Sequence, residues 1–133
     1  MFVHITPFYA AILALLFFVL AVRTVLLRRR FRIAIGDAGN NEMLRAMRVH
    51  ANFAEYVPIT LLLIFMLELQ GVRPVFVHVL CICLLLGRFS HAYGVSRISE
   101  NYRYRVFGMS MTFTALVGSA VLLVVTYIVR TAD

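Results

Sequence analysis

The sequence predicts an all-α integral membrane protein, a four-transmembrane-helix bundle that takes up residues 1–133 as a single domain. Three observations carry that expectation. Of the 133 residues 62% are hydrophobic and the mean hydropathy is +0.91, an apolar share well beyond that of a soluble domain. The apolar residues gather into four segments, Ile5 to Val22, Val57 to Leu69, Val75 to Gly87 and Val106 to Val129. All 13 basic residues are arginine, and they flank these segments.

A membrane span needs about 20 residues, so the first and last segments suffice alone and the two middle ones do not. The second must extend upstream through Ala46 to Tyr56, and the third downstream through Arg88 to Val95. Their polar residues thereby become residues of membrane helices. The expected helices cover approximately 5–27, 41–69, 74–96 and 105–130.

In the first helix Pro7 suits the first turn, where a missing N–H costs little. The arginines follow its apolar run instead of preceding it, so it reads as a retained helix and not as a cleaved signal peptide. Gly36-Asp37-Ala38-Gly39 is a turn signal, after which Asn40 or Asn41 can cap the second helix. Pro58 removes one backbone bond inside that helix, which predicts a kink near residues 54 to 58. The Gln70-Gly71-Val72-Arg73-Pro74 turn leads to the third helix.

Cys81 and Cys83 lie there at i, i+2, roughly 200° apart, so they share no face and form no metal clip. No metal site is expected. The Ser99-Glu100-Asn101 connection leads through Tyr102-Arg103-Tyr104-Arg105 into the fourth helix. Gly108, Ser110, Ala115, Gly118, Ser119 and Ala120 on that helix suit close helix packing.

Seven arginines lie between spans one and two and four between spans three and four, leaving Arg73 and Arg130 on the opposite side. By the positive-inside rule the two longer connections face the cytoplasm and both termini face away from it. The net charge of +7 is thus a signal of topology and of contact with membrane lipid. It does not form the soluble basic face of a nucleic-acid binder, and no nucleic-acid partner is expected.

The stretch RVHANFAEYVP, Arg48 to Pro58, is the part of the second helix that composition does not explain. At 100° per residue Arg48, Asn52, Glu55 and Tyr56 fall at roughly 0°, 40°, −20° and 80°, with Asn41 and Arg45 at roughly 20° and 60°. Ionisable groups at this depth are costly and face a bundle interior or an aqueous cavity. Arg48 and Glu55 are separated by about 10.5 Å of axial rise, too far for an easy direct bond. Their partners then come from another helix, another subunit or a ligand. An anion-binding arginine, an amide and a carboxylate over about 10 Å suit an extended tripeptide such as glutathione. Structural polar packing is the competing account.

R-x-x-x-N-x-x-E-Y-x-P, read here as Arg48, Asn52, Glu55, Tyr56 and Pro58, resembles the signature of the MAPEG family, membrane-associated proteins in eicosanoid and glutathione metabolism. The resemblance covers nearly the whole chain, and the run Gly36 to Asn40 is similar to that of short bacterial members. It implies a homotrimer in a bacterial inner membrane, with glutathione as co-substrate bound between subunits on the cytoplasmic side. On the matching positions Glu55 would take the γ-glutamyl ammonium, Arg48 a carboxylate or carbonyl, and Asn52 a peptide group, with Tyr56 beside them. Arg28 or Arg29 resembles a family residue that meets a glutathione carboxylate; an anchor to lipid headgroups is the other account. Arg88 and His91 resemble the family's Arg-x-x-His/Tyr pair, whereas Val95 stands where a tyrosine is expected.

The chemistry the resemblance implies needs a glutathione thiolate, because the thiol is a poor nucleophile. The arginine beginning the fourth helix is the candidate catalytic residue: Arg105, with Arg103 as the substitute. Arg105 also lies near a helix N-terminus, where the dipole favours an anion. The expected function is a microsomal-type glutathione S-transferase or peroxidase for detoxification, acting on lipophilic electrophiles or hydroperoxides. The alternative is a non-catalytic trimer of the same fold that binds lipid or a partner protein. A small four-helix drug exporter is disfavoured, since such transporters use a first-helix carboxylate and Phe2 to Leu27 contains no acid.

Overall fold

The computed structural model describes residues 3–99 and 101–132; Glu100, expected in the third connection, lies outside the described residues. Four α-helices make up the fold: α1 (Ile5–Phe31), α2 (Asn41–Leu69), α3 (Pro74–Ser96) and α4 (Tyr102–Ala132). All four are long and apolar enough to cross a membrane. α1 runs four residues past the expected Leu27 and α4 begins three before Arg105, because arginine and tyrosine are compatible with helix and nothing there breaks it.

Local chemistry explains where each helix stops. Ile33 N–H returns to the Arg28 carbonyl (3.0 Å) and Arg32 N–H to Arg29 (3.4 Å), with Arg32 in the left-handed region at φ 55°. The same closure ends α2: Val72 N–H reaches the Leu67 carbonyl (3.2 Å), Gly71 N–H reaches Glu68 (3.0 Å), and Gly71 supplies φ 74°. Both are Schellman-type caps that satisfy terminal carbonyls. Between α1 and α2, Asp37 to Asn40 form a tight turn in which Ala38 and Gly39 both have positive φ. Asn40 then caps α2, its Oδ1 accepting from Met43 N–H at 2.9 Å. α2 is continuous through Pro58, and Pro74 opens α3 at a position that needs no N–H.

The helices alternate in direction, and polar ties fasten the two ends of the bundle. At one end Glu68, 7% exposed, takes three backbone N–H groups at the start of α1: His4 (2.9 Å) and Ile5 (2.8 Å) on Oε1, Thr6 (2.8 Å) on Oε2. A carboxylate from α2 thus satisfies orphan donors of α1 and complements its dipole. Arg130 of α4 bonds the Gln70 carbonyl at the same end. At the other end Arg23 of α1 donates to the hydroxyl and carbonyl of Ser96, the last residue of α3.

α3 and α4 form the most extensive helix pair, and their approach is set by glycine. A methyl group on Gly87 would lie 2.8 Å from the Gly108 carbonyl oxygen, and one on Gly108 would lie 2.6 Å from His91 N. The buried stripe of α4 is Gly108, Thr112, Ala115 and Ser119; Ser110, also expected to pack, is exposed. Cys81 is buried in the core and Cys83 half-buried.

Candidate functional site

The arginine-rich half of α2, the end of α3 and the start of α4 enclose a cavity of about 220 Å³. Asn41, Leu44, Arg45, Arg48, Asn52, His91, Val95 and Arg105 line it. Among the described residues three guanidiniums, two amides and an imidazole line it and no carboxylate does, a donor set that suits an anion which also offers acceptors.

Each wall has a local cause. The i, i+4, i+7, i+11 spacing of Asn41, Arg45, Arg48 and Asn52 stacks them on one side of α2. Arg45 is steadied by a bond from Nη1 to the Val95 carbonyl (3.2 Å). His91 is buried on α3, one turn beyond Gly87, where the close approach of Gly108 brings the first turns of α4 alongside. Gly94 repeats the device: its methyl would meet Arg105 N at 3.0 Å. Asn101 precedes α4 and accepts from Arg103 N–H (3.1 Å), which sets the start of the helix that carries Arg105.

Arg88 stands behind this wall. It is 1% exposed, donates from Nη1 to Asn52 Oδ1 at 2.8 Å and contacts Met109 Sδ at 3.4 Å through Nη2. Its Nε makes no hydrogen bond. Because guanidinium is donor-only, the Asn52 oxygen must turn toward Arg88, and the amide NH₂ is left to donate. Arg88 is therefore a strut that orients Asn52.

Of the site residues expected from the sequence, Arg48, Asn52, His91 and Arg105 share the cavity, and Arg88 supports it. Glu55 is exposed on α2 and is not among the lining residues. Tyr56 is half-buried with its ring edge against Phe113 (centroids 5.5 Å apart). Arg28 is committed to the loop after α1, donating from Nη1 to the carbonyls of Ala34 (3.3 Å) and Gly36 (3.1 Å). Arg29 and Arg103 are exposed outside the cavity lining. Arg45 and Val95 are lining residues that the motif passes over. Arg45 was legible as part of the polar face of α2, whereas Val95 carries no chemical signal and is placed by packing.

The model of the MAPEG family matches residues 6–125, which is most of the chain and reaches into all four helices. The chain belongs to the MAPEG family. As a MAPEG protein it is a membrane protein, and its four apolar helices are the spans. The inner membrane protein YecN of Escherichia coli K12 is 38% identical over 112 residues, 84% of each chain. YecN of the O6:H1 strain CFT073 of the same species matches to the same extent. No solved structure matches this MAPEG chain at a significant level.

Proposed function

We propose that the protein is a glutathione-dependent transferase or peroxidase that works as a homotrimer in a bacterial inner membrane, its cavity facing the cytoplasm. The observation that carries the reading is the cavity itself: Arg48, Asn52, His91 and Arg105, dispersed in sequence over three helices, line one cationic chamber at the end of the bundle where the arginines concentrate. A tripeptide thiol with two carboxylates and two amides matches that donor set.

A second copy is needed on physical grounds. Glu55 and Arg48 are exposed on a helix that crosses the membrane, and a carboxylate facing hydrocarbon is strongly disfavoured. Subunit association would cover both and bring Glu55 to a ligand held at the interface. Arg48 would pair with a glutathione carboxylate, the Asn52 NH₂ would donate to a peptide carbonyl, and Glu55 would take the ammonium. Arg29 remains available for the second carboxylate.

Arg105 would hold the sulfur as a thiolate. A free thiol has a pKa of about 8.5, and a shift of about two units needs roughly 3 kcal/mol of preferential thiolate stabilisation. One guanidinium in a part-dry site, assisted by the N-terminus of α4, is of that strength. The thiol proton leaves to water; the sulfur lone pair then forms a C–S bond to a lipophilic electrophile and the leaving group departs with the displaced electron pair. With a hydroperoxide, the sulfur takes the distal oxygen as the O–O bond breaks, and the alkoxide leaves and picks up a proton from water to become the alcohol; a second glutathione thiol then attacks the sulfenic acid, giving the disulfide and water.

The test is ultraviolet absorbance near 240 nm when glutathione is added to the purified protein at neutral pH. A thiolate band that disappears in Arg105→Ala supports the reading. Binding without any band favours the non-catalytic family member, for which the position of Glu55 outside the cavity lining of one subunit is the specific observation.

A further inference from the structure

A second polar site lies outside the cavity, on the exposed side of α1 and α2 at the arginine-rich end. It is a groove of about 460 Å³ with a wall of Val19, Val22 and Leu26 and a rim of Arg23, Arg30 and Glu42. The positions 19, 22, 23, 26 and 30 recur at helical spacing, so one stripe of α1 is hydrocarbon along its length and cationic at its end. From Val19 to Arg30 the axial rise is about 16 Å, close to the roughly 15 Å depth of one bilayer leaflet.

The rim has an unusual charge pattern. Arg23 reaches Ser96 at the end of α3, so its head lies at the level of the helix ends although its Cα lies deeper; this uses two of its five N–H donors. Arg30 rests over the Phe31 ring, 5.3 Å from its centroid. Glu42 is half-buried in the first turn of α2. Among the described residues neither the Arg30 nor the Glu42 side chain makes a hydrogen bond or an ion pair, although both line the same groove. A purely anionic headgroup would satisfy the arginines and be repelled by the carboxylate. A quaternary ammonium would meet the carboxylate without donating a hydrogen bond to it.

The geometry points to a binding site for a phospholipid whose headgroup joins a phosphodiester to a primary ammonium, an aminophospholipid. Its phosphate sits between Arg23 and Arg30, its ammonium donates to Glu42, and an acyl chain follows Leu26, Val22 and Val19 into the membrane. Two cations and one anion match a group with one negative and one positive charge while leaving a net attraction to the leaflet. This site is independent of the thiol chemistry proposed above.

The test is native mass spectrometry of the detergent-purified protein after exchange into mixed micelles of phosphatidylethanolamine, phosphatidylglycerol and phosphatidylcholine at equal concentrations. Phosphatidylethanolamine should be retained preferentially. Glu42→Gln should lower its advantage over phosphatidylcholine by up to about fivefold, the worth of one part-exposed ion pair. Arg30→Gln should reduce retention of all three lipids. Equal retention of the three lipids, a preference for phosphatidylglycerol, or an unchanged ratio in Glu42→Gln would overturn the proposal. A photocrosslinking residue at position 19 gives a readout in the wild-type rim background. An adduct of phospholipid mass supports the site, and an adduct with a second copy of the chain makes the groove a subunit contact and sinks it.

Discussion

Adding one methyl group at Gly108 is the most direct probe of how α3 and α4 hold the cavity. The new Cβ would lie 2.6 Å from His91 N, 2.7 Å from the Gly87 carbonyl oxygen and 2.8 Å from His91 Cβ. All three neighbours are backbone or attached directly to it, so no side chain can swing away. Ordinary contact begins at 3.4 Å, and a shortfall of about 0.8 Å at the closest atom must be met by moving the helices apart, an overpacking cost of about 1–3 kcal/mol or more. The gain in helix propensity from glycine to alanine returns less than about 1 kcal/mol. Gly108→Ala should therefore lose about 1–2 kcal/mol in reversible unfolding in mixed micelles, and should lower glutathione turnover more than glutathione binding, because Arg105 precedes Gly108 by three residues and would be carried away from His91. Gly118→Ala is the control: its methyl meets only the Leu80 Cδ2 end at 3.2 Å and should be within about 0.5 kcal/mol of wild type. If Gly108→Ala unfolds at the same midpoint as Gly118→Ala, the close approach of α3 and α4 is not what fixes the site.

Removal of Glu68 tests the clasp at the other end. Glu68→Ala leaves three N–H groups at the start of α1 without their charged acceptor and should cost about 2–4 kcal/mol, with Glu68→Gln costing less because one acceptor oxygen remains; the same unfolding assay measures both. Arg32 occupies a left-handed conformation at φ 55° that costs a non-glycine residue about 1 kcal/mol, so Arg32→Gly should raise stability by up to that amount, and a loss would show that its side chain contributes more than its backbone costs. In titration calorimetry Arg48→Ala should weaken glutathione binding about tenfold or more, whereas Arg105→Ala should bind within a few-fold of wild type and lose turnover. Unchanged affinity in Arg48→Ala would reject the proposed orientation of the ligand.

The ends of the helices and the polar stripe of α2 were legible because they depend on short-range chemistry. Asn40, Gly71 and Pro74 act through neighbours within a few residues, and the order Asn41, Arg45, Arg48, Asn52 is a property of helical pitch. Span length alone showed that the polar stretch from Arg48 to Pro58 belongs inside a membrane helix. The division of that stretch was not legible. Asn52 turns inward to Arg88 and Tyr56 toward Phe113, while Arg48 and Glu55 stay exposed. An arc of about 100° straddles the edge of the helix contact, and which residues fall on either side depends on the rotation of α2 against its neighbours.

The roles of Glu68, Arg28 and Arg88 were decided only in three dimensions. In sequence Glu68 is an acid at the end of an apolar run, and its partners at His4 to Thr6 are more than sixty positions away. Arg28 is one of several adjacent arginines, distinguished by the loop carbonyls that fold back over it. Arg88 reads as a membrane arginine with a ligand to bind, yet the depth of the α3 and α4 contact buries it and directs it to Asn52. Composition and periodicity determined that this chain spans a membrane with four helices and carries a polar face on the second. Tertiary structure decided which of those polar groups meet in one cavity, because the glycines at 87, 94 and 108 bring backbones from separate helices closer than side chains permit.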